Sequence, residues 1–474
     1  MSCGTAAEIE GARGESMLMT KKPKHDRSNA CVKCKENGGN IVIRHVVYCK
    51  SCFDPFVKHK FKKGLEPFIN VSGQKKAVLK PWGNLTIGFS GGLGSTVLLD
   101  LVKRCYYSSE EVDEKKGNNP RNDGIWKKVT VCFVDVSEVY PEALDETSQV
   151  AQYIQGSYPT FKFVPVRLSD AFDKRWWKAV RGGPLTTSDF GVQLDPDLAL
   201  RILDASSPTP LESLQTYFRS LPTQTAAHSS IQTLVRVLLL HVARSTDSSH
   251  LLLGTSLTSL AISLISGISQ GGGYNVREEA QEDWMPPPTL KEGKERAIRL
   301  VRPLRDVGVK ECEIYAWWRE LKVVGKHKWP GGGQSIASLT KEFILGLEKD
   351  YPSTVSTITR TCAKLVSKDQ PSGTCSICQR PLQGGLDTWK SQISIRSLTE
   401  VTPARSVQDL PLSSLTPLLC YSCQGTLTSR SSKSVSTAEN GATVSLPVWT
   451  QAKLLDQEAM KGEIEEFLLS DEDE

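Results

Sequence analysis

Hydrophobic and polar positions alternate along the chain with two different periods. Apolar runs rich in β-branched residues predict buried strands at 85–89, 128–140, 158–170 and 250–254. Periodic apolar positions predict helices at 96–102, 229–246, 257–269, 302–322 and 338–351. Strands that alternate with helices predict an α/β fold with a parallel, doubly wound sheet.

The segments between these elements predict the domain boundaries. Polar stretches predict a loop at 106–124, a surface excursion with short helices at 183–225 and a polar loop at 270–290. Shifts in composition predict five regions: a disordered N-terminus at 1–28, a cysteine module at 29–65, the α/β domain at 80–366, a second cysteine module at 367–450 and an acidic tail at 451–474.

Charge is distributed unevenly, although the net charge of the 474 residues is only +5. The segment from Lys21 to Gly64 contains twelve lysines and arginines but only three acidic residues. The last twelve residues, EIEEFLLSDEDE, hold seven acidic groups and no cation. The basic module favours a polyanionic partner such as nucleic acid, and a merely solvated face is the alternative.

Cysteines supply the clearest chemical signal. Eight of the thirteen fall into four Cys-x-x-Cys pairs. The first residues lack the apolar core of a signal peptide, and no run approaches the ~18 apolar residues of a membrane span. We therefore expect a cytosolic protein without a membrane partner, in which paired cysteines serve metal or redox chemistry rather than disulfides.

Two sets of four cysteines have the spacing of zinc ligands. Fourteen residues separate the first two pairs and forty-one separate the last two. Four thiolates complete a tetrahedral Zn²⁺ site and leave no position for water, so we expect zinc to be structural here. Redox pairs are the alternative. The predicted ligands are Cys31, Cys34, Cys49 and Cys52 in the first module and Cys375, Cys378, Cys420 and Cys423 in a zinc-ribbon-like second module.

A glycine-rich loop joins the first strand to its helix in the segment LTIGFSGGLGSTVLLDLV. Backbone N–H groups of such a loop, together with a helix N-terminus, stabilise bound anions. The Walker pattern is absent, and a tight structural turn is the alternative. Candidate nucleotide-binding residues are Ser90, Gly91, Gly92 and Ser95, with Asp135 at the end of the second strand as a ribose or metal contact, or else a turn cap.

The motif FSGGLGS resembles the PP-loop of the N-type ATP pyrophosphatases, whose pattern is Ser-Gly-Gly-x-Asp-Ser. The resemblance implies an adenine-nucleotide alpha-hydrolase-like domain that binds ATP and Mg²⁺. Several members activate a tRNA base, and a thiolating branch also carries an N-terminal module with two Cys-x-x-Cys pairs. The segment VRPLRDVGVKECEIYAWW and the C-terminal cysteine pairs also resemble proteins of cytoplasmic tRNA thiolation.

Departures from that pattern predict a degenerate site. Gly94 stands where the family has aspartate, and the turn at 254–259 contains no acid. Ser229 and Ser230 replace a cysteine pair, and GKHKWPGGGQS lacks a further thiol. Adenylation relies on metal-bound phosphates and sulfur transfer relies on thiolates, so these losses predict a subunit without its own turnover.

The resemblance implies a heterodimer with a catalytic PP-loop tRNA thiolase. The pair would 2-thiolate wobble uridine U34 in the tRNAs for lysine, glutamate and glutamine, with a thiocarboxylated ubiquitin-like protein as sulfur donor. An enzyme active by itself and a zinc-ribbon adaptor for proteins are the alternatives. Candidate tRNA phosphate contacts are Lys33, Lys35, Arg44, Lys50, Lys58, Lys60, Lys62 and Lys63.

Overall fold

The computed structural model describes residues 30–43, 46–69, 83–107, 125–140, 143–181, 208–286, 296–325, 335–365, 370–386, 416–428, 445–451 and 453. The described residues up to Val57 form one compact unit, and those from Lys58 onward form another. The first unit contains a two-stranded antiparallel hairpin of β1 (Ile41–Ile43) and β2 (Val46–Tyr48), followed by the start of helix α1 (Lys50–Ile69).

A six-stranded sheet forms the centre of the second unit, with the spatial order β5-β4-β3-β6-β8-β7. Its first five strands in that order are parallel, and β7 pairs antiparallel with β8 at one edge. The strands are β3 (Asn84–Gly88), β4 (Val129–Asp135), β5 (Lys162–Arg167), β6 (Ser248–Leu253), β7 (Glu282–Trp284) and β8 (Ile298–Val301). The predicted α/β fold with a mostly parallel sheet is confirmed.

The described helices that follow α1 are α2 (Leu93–Val102), α3 (Thr147–Ser157), α4 (Lys174–Arg181), α5 (Pro210–Ser220), α6 (Gln224–Ser245), α7 (Leu257–Ser269), α8 (Val276–Ala280), α9 (Val309–Trp318), α10 (Ile336–Asp350), α11 (Pro352–Cys362) and α12 (Tyr421–Thr428). Apolar periodicity predicted α2, α6, α7, α9 and α10, with boundaries that differ by up to several residues, and α5 lies within the predicted surface excursion. It did not predict α3, α4, α8, α11 or α12, and residues 302–308 of the predicted helix form a turn instead. No described helix is long and apolar enough to cross a membrane.

Strand composition follows position in the sheet. The inner strands β3, β4 and β6 are buried along almost their whole length, because neighbours cover both sides. Pro165 lies in β5, the edge strand, where its missing N–H leaves no gap in the pairing. The sheet order reverses between β3 and β6, so the loops that follow these two strands meet at a topological switch point.

The prediction of a polar loop at 270–290 is wrong in part. After a turn at Gly272–Asn275, the segment forms α8 and the edge strand β7. Glu282 and Trp284 point inward from β7 and are 3% exposed, while Asp283 points outward and pairs with Arg299. Alternation of burial with period two identifies a strand here, and the charged residues concealed it in the sequence.

The C-terminal segment 445–451 belongs to the core of the second unit. The Trp449 ring is buried against Trp177 and His241, and its indole N–H donates to the Ile377 carbonyl oxygen at 3.0 Å. The Thr450 hydroxyl donates to the Ser376 carbonyl oxygen at 3.0 Å. The segment therefore joins the second cysteine module to helices of the α/β domain.

We predict that Trp449→Ala lowers the free energy of unfolding by about 3–5 kcal/mol, because it leaves a cavity and an unpaired carbonyl group. Urea denaturation followed by circular dichroism measures this loss. Trp317→Ala is the matched control, since that side chain is 74% exposed and its removal should change the free energy by less than about 0.5 kcal/mol. Equal effects in the two variants would contradict a core role for Trp449.

Candidate functional site

The glycine-rich loop lies at the switch point of the sheet, between the end of β3 and the start of α2. Gly92 is the N-cap residue, and no side chain caps the helix. The Ser95 hydroxyl donates to the Gly92 carbonyl oxygen at 2.9 Å, and the Ser90 hydroxyl lies 3.3 Å from that of Ser95. The four predicted loop residues are therefore brought together around one turn.

A backbone segment crosses the loop at Gly91. Gly91 has a φ of +71°, a conformation that favours glycine, and its carbonyl oxygen accepts from the Gly325 N–H at 2.9 Å. A Cβ atom built on Gly91 would lie 2.9 Å from the Gly325 nitrogen. The loop is thus held against a chain segment that follows α9.

Backbone also packs directly against backbone where the family has its aspartate. A Cβ atom at Gly94 would lie 2.0 Å from the Gly254 carbonyl oxygen, and one at Gly254 would lie 2.4 Å from the Ser95 nitrogen. These distances leave no space for a side chain on either residue. Glycine at position 94 therefore permits a close approach between the loops after β3 and β6.

A cavity of about 660 Å³ opens beside the loop. The loop after β3 and the turn after β6 form part of its lining, and Ser229 contributes from α6. Its lining also includes three residues of the second cysteine set and three arginines: Cys378, Cys420, Cys423, Arg236, Arg302 and Arg380. The second cysteine set and the loop therefore face one common space, which the sequence did not indicate.

Asp135 is used in a local turn. Its carboxylate accepts from the Ser137 hydroxyl at 2.6 Å and from the Ser137 N–H at 3.1 Å. The side chain is buried at the end of β4. This geometry matches the turn-cap alternative, while the predicted contact with ribose or metal stays a prediction.

Two further thiols line the cavity, those of Cys132 and Cys312. Both residues are fully buried, and burial raises the pKa of each thiol above its usual range. A thiol that stays protonated is a poor nucleophile and a poor metal ligand. Neither replaces the cysteine pair that Ser229 and Ser230 lack.

The first cysteine set comes together as predicted. Its four sulfur atoms lie within 4.8 Å of one another, and those of Cys34 and Cys49 are 3.8 Å apart. Cys31 accepts a hydrogen bond at its carbonyl oxygen from the Lys35 N–H at 2.7 Å, and Lys35 has a φ of +60°. The second pair flanks the first residues of α1.

The second cysteine set repeats this construction. Its sulfur atoms also lie within 4.8 Å of one another, with 3.7 Å between Cys378 and Cys420. The Gln379 N–H donates to the Cys375 carbonyl oxygen at 2.9 Å, and Gln379 has a φ of +56°. The second pair flanks the start of α12, so both sets could hold a metal ion in the same way.

A buried ionic cluster connects the second cysteine set with α6, α8, β7 and the turn after β8. Arg236 donates to Glu282 at 2.8 Å and also to the Cys378 carbonyl oxygen. Arg380 pairs with Glu279, and Arg302 lies 3.9 Å from the same carboxylate. Burial acts to raise the pKa of Glu279, but the Arg380 and Arg302 guanidinium groups outweigh it and hold that pKa well below its usual range.

The predicted phosphate-contacting cations differ in exposure. Lys33, Lys35 and Lys50 are exposed in the first unit, and Lys62 and Lys63 are exposed on α1 in the second. Lys58 is half-buried, and Arg44 lies outside the described residues.

Lys60 departs from this pattern. Its ammonium nitrogen lies 2.7 Å from both carboxylate oxygens of Glu311, which is 5% exposed. The prediction that Lys60 contacts phosphate conflicts with this pairing, because separating the pair would leave Glu311 buried and uncompensated.

The fold and the loop define a class: an α/β protein with a mostly parallel sheet and a glycine-rich turn at its switch point. A family model described as cytoplasmic tRNA 2-thiolation protein 2 matches residues 335–425. The predicted resemblance to tRNA-thiolation proteins is thus confirmed, and the chain is similar to cytoplasmic tRNA 2-thiolation protein 2 well beyond that segment.

Curated relatives of that name extend the similarity over most of the chain. The protein from Xenopus tropicalis is 27% identical over 424 residues, which cover 78% of this chain and 75% of the relative. The protein from Danio rerio is 26% identical over 78% of this chain and 75% of the relative. The protein from Homo sapiens is 27% identical over 74% of this chain and 70% of the relative.

One solved structure shows a more distant likeness. It is the U34-tRNA thiolase NcsA from Methanococcus maripaludis with its [4Fe-4S] cluster. The two chains share 18% identity and a TM-score of 0.44, over 72% of this chain and 89% of that chain. At this distance no residue role can be transferred.

We predict that Gly94→Ala lowers the free energy of unfolding by about 1–3 kcal/mol, because the new methyl group overlaps the Gly254 carbonyl oxygen. Thermal and urea denaturation measure the change. Gly94→Asp, which introduces the aspartate of the PP-loop pattern that the sequence resembles, is expected to destabilise at least as much.

Gly346→Ala provides the control, because a Cβ atom at that position of α10 meets nothing within 4 Å. It should raise the free energy of unfolding by about 0.5–1 kcal/mol through helix propensity. A stabilising Gly94→Ala would contradict the backbone contact that we describe.

Proposed function

We propose that this chain is a subunit of a cytoplasmic complex that 2-thiolates wobble uridine U34 in the tRNAs for lysine, glutamate and glutamine. The names of its relatives support a role in cytoplasmic tRNA 2-thiolation. The partner is a catalytic PP-loop thiolase, and a thiocarboxylated ubiquitin-like protein supplies the sulfur. The chain itself contributes tRNA-binding surface and an interface rather than turnover.

The backbone contact between Gly94 and Gly254 carries the proposal that turnover lies elsewhere. It fills the position where the related enzymes hold an aspartate, and no acid follows β6 in the turn at 254–256. Adenylation by ATP relies on Mg²⁺ to neutralise the phosphates, and Mg²⁺ in proteins is usually held by one or two carboxylates together with those phosphates. Ser90, Gly91, Gly92 and Ser95 are therefore a vestigial nucleotide site in this proposal.

Thiol chemistry supports the same conclusion. Ser229 and Ser230 occupy the start of α6 in place of a cysteine pair, and the Ser230 hydroxyl lies 3.3 Å from that of Tyr217. The buried thiols of Cys132 and Cys312 have raised pKa values. The remaining cavity-lining sulfur atoms belong to a compact set of four, in which all ligand positions of one ion are filled.

Reconstitution tests the proposal. The full chain alone, a PP-loop tRNA thiolase alone, and both together receive ATP, Mg²⁺, a sulfur donor and tRNA. We expect 2-thiouridine, measured by mass spectrometry of tRNA nucleosides, only where the thiolase is present, and more where both are. Pyrophosphate release and 2-thiouridine from this chain alone would contradict it and favour the alternative of an independent enzyme.

In that experiment, the variant Ser95→Ala shows whether activity measured with this chain alone comes from its own glycine-rich loop or from a contaminating enzyme. It removes the hydroxyl that bonds the Gly92 carbonyl oxygen, so it would abolish turnover that uses this loop. Ser269→Ala, at an exposed residue near the end of α7, is the control. If the chain does not crosslink to tRNA but still binds protein partners, the result would favour the alternative function of a zinc-ribbon adaptor for proteins.

We also propose that both cysteine sets hold structural Zn²⁺. A tetrahedral ion with Zn–S bonds of about 2.3 Å separates its sulfur atoms by about 3.8 Å, close to the 3.8 Å and 3.7 Å found in the two sets. An iron–sulfur cluster would spread its ligands further apart, because several iron atoms lie between them. The compact spacing supports a mononuclear ion in each set.

We predict two zinc ions per purified chain by mass spectrometry of metals, one for each set. Cys34→Ser and Cys378→Ser should each remove one of them, because three thiolates and a hydroxyl bind Zn²⁺ more weakly than four thiolates. Cys105→Ser, outside both sets, should retain two. Iron in place of zinc, or a Cys378→Ser variant with two ions, would contradict this assignment.

A further inference from the structure

Helix α4 carries four cations and no acid among its eight residues, KRWWKAVR. Lys174, Arg175 and Lys178 are exposed, and Arg181 is half-buried with its guanidinium group 5.3 Å from the centre of the Trp177 ring. Trp177 itself is 2% exposed within the core. Burial of this ring holds the helix in place while the cations face outward.

The charge pattern opposes the stability of the isolated helix. Lys174 and Arg175 lie in the first turn, where the helix dipole favours negative charge. Lys174 and Lys178 are four residues apart, a spacing at which like charges repel on a helix. Asp173, just before the helix, accepts from the Arg175 N–H at 2.8 Å and offsets this only in part. An anionic partner would relieve the repulsion.

A short turn connects α4 to the carboxyl end of β5, and the Trp177 ring packs the helix against His241 of α6. The parallel strands have their carboxyl ends on the same side of the sheet, and β5 ends there at Arg167. A turn of five residues, Leu168–Phe172, then leads to Asp173 and α4. That turn is fixed, because Ser169 donates from its N–H and its hydroxyl to the Glu138 carboxylate, each at 2.9 Å. The cations are therefore presented from a rigid position.

We propose that the exposed face of α4, formed by Lys174, Arg175 and Lys178, binds the phosphate backbone of tRNA. This inference rests on the proposed tRNA role and adds a second cationic surface to the lysines of α1. Lysine and arginine side chains at helical spacing match a row of phosphates, and such contacts depend strongly on salt. The helix contributes affinity and orientation rather than base recognition.

Charge reversal at two exposed residues tests the proposal. Arg175→Glu with Lys178→Glu in the full chain should weaken binding of fluorescent tRNA at low salt about tenfold or more. It should also reduce the slope of log K against log salt by roughly 1.4 to 1.8, the amount expected for two lost phosphate contacts. Fluorescence anisotropy between 50 and 200 mM KCl, roughly the range where such contacts respond, measures both.

Lys341→Glu with Lys349→Glu on α10 is the matched control, because it changes the net charge equally at two exposed lysines of another helix. We expect this control to keep most of the wild-type salt slope. The neutral double variant Arg175→Gln with Lys178→Gln should lose less tRNA affinity than the acidic one. It removes the positive charges without introducing acids that could disturb the fold. Circular dichroism and urea denaturation confirm that all variants fold.

The outcomes separate the two proposals. If the wild-type chain shows no salt-dependent binding of tRNA, the proposed function fails. If the wild-type chain binds and both α4 variants keep its affinity and slope, only the proposal for α4 is overturned. Normal tRNA binding combined with loss of a protein partner would likewise overturn it and assign the helix to an acidic protein surface.

Discussion

The close approach of Gly94 and Gly254 is the constraint on which the architecture of the site depends. It joins the turn after β3 to the turn after β6 at the point where the sheet order reverses. In an open α/β sheet this point forms the usual ligand crevice. Because backbone meets backbone here, neither Gly94 nor Gly254 has space for a side chain. The absence of a side chain at Gly94 and the fit of the two loops are one structural feature.

The second cysteine set gives this crevice a further wall. Arg236, Arg302 and Arg380 join it to α6 and to the edge of the sheet through Glu279 and Glu282. Arg236, Arg302 and Glu282 are buried, and Glu279 and Arg380 are half-buried. Separating buried charges from their partners is costly, so the cluster holds the module against α6 and the edge of the sheet. Trp449 and Thr450 also donate hydrogen bonds to the carbonyl oxygens of Ile377 and Ser376 in this module. The C-terminal module is thus an integral part of the second unit.

The two cysteine sets share a local design despite very different spacing. In each, a residue with positive φ follows the first pair and closes a turn onto the first cysteine, and a helix begins at the second pair. Lys35 and Gln379 adopt this conformation without being glycine, which costs roughly 1 kcal/mol or more at each. The geometry is consistent with a bound metal that offsets the cost.

The sequence by itself determined the parallel α/β core, the position of the glycine-rich loop and the two sets of four cysteines. Apolar periodicity, glycines and paired cysteines are local signals. Each can be recognised in a short stretch of sequence, without information about which distant residues pack against it. Tertiary structure alone decided that Lys60 pairs with Glu311 and that β7 is a strand in a charged segment. It also decided that Cys378, Cys420 and Cys423 face the loop across one cavity. These features depend on contacts between residues far apart in the chain, and no local pattern encodes which distant side chain will meet a given charge or thiol.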